Sequence, residues 1–328
     1  MKLLVQSVSV VIPTFEGKEL LEKYLPSLFR TLQTSARVSS YEVIVVDDAS
    51  SDDTELFLQK KYPEVVFIKN DENSGFSKTS NRGLQRATCD LVLFLNNDMV
   101  LNDDFFDKTI PFFNQDDTFG VFSEIRDSEG IKKLEGQKLP VITRCKIHYA
   151  DNVEASQCDI STTKSNPYSF YICGGNMLVS RKKMIELQGF NEIYSPFYFE
   201  DFDVSLRAWR NGWFCYYTAE TFCKHCHSTT IKKKFSADYV QTIFIRNRLI
   251  FNCLQLSFCA ALGMHTRVLL KIILYSIVPI KSQQTYKRAA ISYLKMHRSI
   301  MRNKKLLYTN LNSIDSFLSC FENRCAFV

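Results

Sequence analysis

Glycine and proline are scarce, 11 and 8 in a chain of 328 residues, and no internal repeat or low-complexity tract is visible. Long disordered linkers and solenoid arrays are therefore not expected. The start, Met1-Lys2-Leu3-Leu4-Val5, meets Gln6 and Ser7 at once. It lacks the apolar core and small-residue cleavage site of a signal peptide, so a cytoplasmic location is expected. Clean apolar runs are also missing. Residues 249–264 are interrupted by Asn252, Gln255 and Ser257, and residues 268–280 carry Lys271 and Pro279. Neither run offers the roughly 20 residues that a transmembrane helix needs. Acids are nearly absent from residues 228–308, where fifteen Lys or Arg face a single Asp238. That stretch carries +14 while the whole chain carries +6, so the remainder is acidic at −8. An acidic body joined to a basic C-terminal stretch points to an anionic partner for the latter.

What is present is an ordinary globular balance, 45% apolar and 23% charged, in a length that fits one large domain with an appendage. The 11 cysteines are odd in number and scattered, as thiols in a reducing compartment would be. Residues 7–12 (SVSVVI), 42–46 (EVIVV), 65–68 and 91–95 (LVLFL) read as buried strands. Helices are expected after Gly17 through Leu32, from Ser51 or Asp52 through Lys61, and over 76–87. Strands without alternation, separated by helices, predict an α/β fold with a mostly parallel sheet covered on both faces. Residues 123–168 are more polar and less regular and are expected to be an inserted segment. Residues 201–211 then read as a helix stopped by Gly212, and residues 213–217 as a strand.

Ligands of such sheets bind off the carboxyl ends of the strands. Three polar clusters lie there: Pro13-Thr14-Phe15-Glu16, Asp47-Asp48 and Asn96-Asn97-Asp98. Strand ends meet polar turns in any protein, but three on one rim suggest a site. Asp98, just past a buried strand, suits a divalent cation that neutralises a diphosphate leaving group. Asp47 or Asp48 suits hydrogen bonds to a base and ribose. Glu200-Asp201 follows an aromatic run at a helix start. The pair could take a proton from an attacking hydroxyl or serve only as helix N-terminal charges.

These stretches resemble the family-2 glycosyltransferases of the GT-A fold, in particular the bacterial branch with rhamnosyl- and galactofuranosyl-transferases. The matches are SVVIPTFEG at 9–17, VIVVDDASSDDT at 43–54, NSGFSKTSNRGL at 73–84 and LFLNNDMVL at 93–101. They continue with CGGNMLVSR at 173–181, GFNEIYSPFYFEDFDVSLRAWRNG at 189–212, His225, and RNRLIF at 246–251. Eight stretches in order cover roughly the first 250 residues. The resemblance implies that Pro13, Thr14 and Glu16 form the first donor loop and that Asp47 and Asp48 meet base and ribose. It implies that Asn73 and the segment to Gly83 border ribose and diphosphate, with Lys78 facing phosphate. Asn96-Asn97-Asp98 stands where most members have Asp-x-Asp, so Mg²⁺ or Mn²⁺ ligation rests on Asp98, completed by His225. Gly174 and Gly175 resemble a loop beneath sugar and acceptor. Asp201 aligns with the catalytic base, with Glu200 beside it, and the reaction implied is inverting.

Cys223, His225, Cys226 and His227 also admit a structural zinc site, but four candidates within five residues close one tetrahedron poorly. At the C-terminus, Tyr286, Ala290, Tyr293, His297, Ile300 and Met301 recur at helical spacing among Lys287, Arg288, Lys295, Arg298 and Arg302. A basic amphipathic helix on an anionic membrane fits this, as does a plain helical cap. No nucleic-acid reader motif is present. The expectation is a GT-A catalytic domain over 1–235 and a basic helical region over 236–328, peripheral on the inner face of the cytoplasmic membrane. It would transfer sugar from a UDP- or dTDP-linked donor to a lipid-linked or cell-surface glycan. Two alternatives are a weakly catalytic nucleotide-sugar-binding scaffold and a sugar nucleotidyltransferase. The second would need a Gly-rich loop where Pro13-Thr14-Phe15-Glu16-Gly17 stands. The sequence does not give the oligomeric state.

Overall fold

The computed structural model describes residues 4–143, 146–151, 167–226, 234–277 and 281–326. The chain opens with strand β1 (Gln6–Thr14), helix α1 (Lys18–Thr34), β2 (Val38–Asp47), α2 (Thr54–Lys61), β3 (Val66–Lys69), α3 (Phe76–Arg86) and β4 (Leu91–Leu95). Val8, Val10 and Val11, Val43 to Val46 and Leu91 to Leu95 are buried in unbroken runs, because helices cover both sheet faces. β1 pairs in parallel with β2 and β4, and β2 with β3.

A short β5 (Met99–Leu101), α4 (Phe105–Thr109) and β6 (Thr118–Arg126) follow, then β7 (Lys133–Glu135), β8 (Lys138–Thr143) and β9 (Lys146–Asp151). Here the structure differs from the sequence expectation. The described part of 123–168 is ordered into strands, and β8 and β9 form a separate antiparallel ribbon. Its short, half-exposed strands bury too little apolar surface to show the continuous pattern by which β1, β2 and β4 are recognised. Next come β10 (Asn176–Ser180), α5 (Arg181–Glu186), α6 (Glu200–Arg210) and β11 (Phe214–His225). Among the described residues the main sheet runs in the order β3-β2-β1-β4-β10-β6-β11-β5, with β7 on β6. β10 enters it antiparallel to both β4 and β6.

The C-terminal helices are α7 (Ala237–Gln255), α8 (Phe258–Ile277), α9 (Lys281–Lys295), α10 (His297–Tyr308) and α11 (Ile314–Ala326). They share the core of the sheet and α6. Phe317 and Phe321 on α11 lie 5.7 and 5.0 Å, ring to ring, from Trp209 on α6. Two sequence expectations change here. Ala290, Tyr293 and Ile300 are buried in this core, so the apolar side of the basic stretch faces protein. The apolar residues of 249–280, read as two interrupted runs, include one continuous helix. α8 has 20 residues and a mean hydropathy of 1.4, long and apolar enough to cross a membrane by length and composition, with 17% of its apolar window buried. The polar steps His265, Thr266 and Arg267, which divide the run on paper, do not interrupt the helix.

Candidate active site at the carboxyl edge of the sheet

β1, β2 and β4 all end on one rim, at Thr14, Asp47 and Leu95. Because β10 runs antiparallel with Asn176 opposite Leu95, the preceding Gly174 and Gly175 reach the same edge. After β4 the chain turns through Asn96, Asn97 and Asp98 into β5, which pairs antiparallel with β11 so that His225 lies opposite Met99. This brings together residues 127 apart in sequence. His225 Nε2 lies 3.1 Å from Asp98 Oδ2, and the Cys226 N–H donates to the Asp98 carbonyl at 2.9 Å. Asp98 is buried and His225 half-buried. The separation suits a hard cation, since neighbouring ligands of an octahedral ion with bonds of about 2.1 Å lie about 3.0 Å apart. Among the described residues no group of three or more His, Cys, Asp and Glu could hold a metal. A cation here would therefore draw its other ligands from donor phosphates and water, as Mg²⁺ commonly does. Against the zinc alternative stands Cys223, fully buried with its thiol pushed up by burial; the part of that reading that falls on His227 lies outside the described residues.

The loops that follow β1 and β2 and precede α3 are tied together by the acids that the sequence singles out. The Asp48 N–H donates to the Thr14 carbonyl at 2.8 Å. Its carboxylate accepts from Asn70 Nδ2 at 2.7 Å and from the Ser74 and Gly75 N–H groups at 2.8 and 2.9 Å. Asp47 accepts from the Ser50 N–H at 3.0 Å and from the Ser50 hydroxyl. Burial raises its carboxyl above the ordinary value, while the Ser50 hydrogen bonds oppose that rise. Glu16, at φ 49°, accepts from the Ser51 N–H and hydroxyl, both at 2.9 Å. Asn73 Nδ2 donates to the Asp48 carbonyl at 3.1 Å, and Asn97 Nδ2 to the Thr14 hydroxyl at 2.7 Å. Pro13 precedes Thr14 at the end of β1. Lys78 is exposed in the first turn of α3, 3.9 Å from Glu72. In this structure, then, Glu16, Asp47 and Asp48 hold loop geometry, with Thr14 and Asn97 joined at the centre of the rim.

The second half of the site is the loop before α6. Gly174 N–H donates to Asp201 Oδ2 at 3.2 Å, and Phe202 N–H donates to Asp201 Oδ1 at 2.8 Å. Burial pushes the Asp201 carboxyl up to about 6, partly offset by those two N–H donors. Burial, and then the neighbouring Asp201 charge, push Glu200 well above the ordinary range, and Glu200 Oε2 finds no partner among the described residues. Two adjacent acids whose environments separate their proton affinities are suited to different roles. Near pH 7 Asp201 is mostly ionised, while burial and the Asp201 charge favour the neutral form of Glu200.

This loop is strained and externally held. Tyr198 and Phe199 sit at φ 75° and 79°, left-handed conformations that cost bulky side chains about 1–3 kcal/mol each. Asn247 on α7, fully buried, directs Nδ2 to the carbonyls of Tyr194 (2.6 Å), Phe197 (2.9 Å) and Tyr198 (3.0 Å). Arg246 donates to the Ser195 carbonyl at 2.5 Å. A Cβ on Gly75, at φ 83°, would stand 2.6 Å from the Pro196 carbonyl oxygen, so the loops before α3 and before α6 touch. Behind them, the fully buried Asp203 accepts from Tyr194 Oη (3.0 Å), Tyr308 Oη (2.5 Å), Arg207 Nε (2.8 Å) and Gln255 Nε2 (3.1 Å). Sequence reasoning misses Asn247 and Asp203. No local signal sets Asn247 apart, since Asn252 on the same helix is buried too; for Asp203 the signal was a third acid within one turn of Glu200. A cavity of about 600 Å³ is lined by Leu254, Gln255, Lys304 and Tyr308; it shares two of the Asp203 donors but none of Asp98, Glu200, Asp201 or His225.

A family model described as glycosyl transferase family 2 matches residues 9–187. The chain is 26% identical over 243 residues to an uncharacterized glycosyltransferase, YfnE, of Bacillus subtilis (strain 168), covering 62% of this chain and 60% of that one. It is 25% identical over 242 residues to the N-acetylglucosaminyl-diphospho-decaprenol L-rhamnosyltransferase of Mycobacterium tuberculosis (strain CDC 1551 / Oshkosh), covering 67% of this chain and 76% of that one. The chain thus spans less than two thirds of the first of these relatives. Among solved structures, GalNAc-T7 with UDP, GalNAc and Mn²⁺ superposes with a TM-score of 0.60 at 16% identity, covering 96% of this chain and 56% of that one. Staphylococcus aureus TarS 1–349 in complex with UDP-GlcNAc superposes with a TM-score of 0.54 at 16% identity, covering 87% and 79%.

Proposed function

This chain belongs to glycosyl transferase family 2 and has the GT-A fold. From that premise we propose that it transfers a sugar from a UDP- or dTDP-linked donor to a lipid-linked or cell-surface glycan, with inversion at the sugar carbon. The observation that carries this reading is the Asp201 carboxylate. It is held at a helix start by Gly174 and Phe202, with a proton affinity matched to neutral pH. A base of that strength takes a proton from an attacking hydroxyl most efficiently near its own pKa.

In the proposed reaction the acceptor hydroxyl gives its proton to Asp201 as its oxygen bonds to the anomeric carbon. The bond from that carbon to the diphosphate oxygen breaks, and both electrons leave with the nucleoside diphosphate. Asp98 and His225 would hold Mg²⁺ or Mn²⁺. When bound, the cation supplies positive charge against the diphosphate. Pro13, Thr14, Asn73, Asn97 and Lys78 line or border the donor side. Glu16, Asp47 and Asp48 keep the loops of that side in register. Gly174 and Gly175 leave room between Asp201 and the β4–β5 turn, since a Cβ on Gly175 would come 3.1 Å from Met99 Cε. Glu200, whose neutral form burial favours, is suited to donating a hydrogen bond to the acceptor or to the loop.

The membrane-borne acceptor is supported by two observations: relatives whose names specify polyprenol-linked substrates, and the basic C-terminal stretch. The proposed location is cytoplasmic, peripheral on the inner membrane face. A screen of nucleotide-sugars for Mn²⁺-dependent binding and hydrolysis tests the reading. Turnover of a UDP- or dTDP-sugar that is lost in Asp201→Asn supports it. Binding of none of them, with or without the cation, refutes it.

A further inference from the structure

The described surface has one unusual helix. Phe258, Leu262, Leu270, Ile273, Leu274 and Ile277 on α8 are exposed, Phe258 by 80% and Ile277 by 72%. At 100° per residue these positions fall within one arc of roughly 160°. The opposite arc carries Ala261, Met264 and Val268, all buried against the protein. α8 is therefore apolar on both sides, and only one side has a protein partner. Arg267 and Lys271 stand between the two arcs, and Lys271 Nζ lies 5.0 Å from the Tyr286 ring. The helix carries no acid.

We infer that the outer face of α8 embeds in the interfacial layer of an anionic lipid bilayer, with the helix lying in the membrane plane. This extends the membrane-borne acceptor reading above and names the surface that meets the bilayer. A continuous exposed apolar stripe marks an interaction site. The charge around it selects the partner. Residues 228–308 hold fifteen Lys or Arg against Asp238, so a second copy of this chain would bring like charge to like charge, whereas anionic headgroups complement it. The packed inner face argues for lying along the surface rather than crossing. Arg267 and Lys271 fit headgroup level, with their aliphatic stems along the apolar layer.

The test is co-sedimentation of the full chain with phosphatidylcholine vesicles, with and without phosphatidylglycerol. The double variant Leu270→Glu, Ile273→Glu changes only exposed positions and should lower partition into anionic vesicles by about tenfold or more. Arg267→Ser with Lys271→Ser should reduce the preference for phosphatidylglycerol while retaining residual binding. Both variants should hydrolyse donor in solution as the parent does, which checks folding and keeps the outcome separate from the catalytic reading. Unchanged partition of the double-Glu variant overturns the inference. So does a parent dimer that the double-Glu variant dissociates while vesicle binding is unaffected, because a second copy then covers this face.

Discussion

Replacing Asp201 by Asn tests the proposed mechanism most directly. The side chain keeps its size but loses basicity. A positioned general base contributes about 10² to 10⁴ in rate, and turnover should fall by that factor while donor affinity is nearly unchanged. The structure also sets the stability change. Asp201 is raised from 3.8 to about 6 on folding. A carboxyl with a raised folded pKa contributes stability that is full below its unfolded pKa and is lost as pH rises through its folded pKa. The ionised carboxylate therefore costs up to about 3 kcal/mol at pH 7, at 1.36 kcal/mol per unit. An amide removes that cost. It retains one acceptor oxygen for two N–H donors, those of Gly174 and Phe202, and the lost hydrogen bond costs about 1 kcal/mol. The variant should thus be no less stable than the parent at pH 7, and relatively less stable below pH 4. In the parent, turnover should rise about tenfold per unit up to pH 6 and then level off. Steady-state kinetics across pH 4.5–8 with thermal melts at each pH would read both. Parental turnover in Asp201→Asn, or a donor-binding loss with turnover of bound donor intact, would refute the assignment of Asp201 as base and send the search to Glu200.

Glu200→Gln should cost less turnover than Asp201→Asn, because burial and the Asp201 charge favour the neutral Glu200 carboxyl that an amide resembles; steady-state kinetics of the two variants side by side check this. EDTA should abolish activity and Mn²⁺ or Mg²⁺ restore it, with Asp98→Ala losing metal-dependent nucleotide binding and His225→Ala weakening it, read by calorimetric titration; full activity in EDTA would sink the metal reading. Asn247→Ala leaves three loop carbonyls without their donor and should lower the melting point and kcat together while sparing the donor dissociation constant, at about 1–3 kcal/mol for an unsatisfied buried group. Tyr308→Phe removes one donor from the buried Asp203 and should destabilise by a similar amount, measured by urea denaturation.

The sequence carries the rim well because β1, β2 and β4 are buried on both faces, and such strands announce themselves as unbroken apolar runs. It also proposes Asp98 and His225 as partners, through a family resemblance. The contact itself depends on the antiparallel pairing of β5 with β11, which no local pattern encodes. Asn247 was illegible for a different reason. Its partners are main-chain carbonyls of residues 194–198, and carbonyls look alike in every sequence. The basic stretch left two readings open because amphipathic spacing reports an apolar side without saying what covers it. Ala290 and Tyr293 meet protein, while Leu270 and Ile273, in a helix with no charge-rich face, are the ones left outside.

The four hydrogen bonds to Asp203 have a consequence for how this enzyme could be recombined with its relatives. Donors from the segment before α6, from α6 itself, from the end of α7 and from the end of α10 meet on one carboxylate. A chimaera that takes α7 and α10 from one parent and α6 from another leaves that carboxylate with mismatched donors. The natural unit of exchange is therefore a block running from about residue 190 through α11, and crossovers inside it should be rare among functional hybrids. Crossovers between β4 and β10 would leave the carboxylate and its donors together.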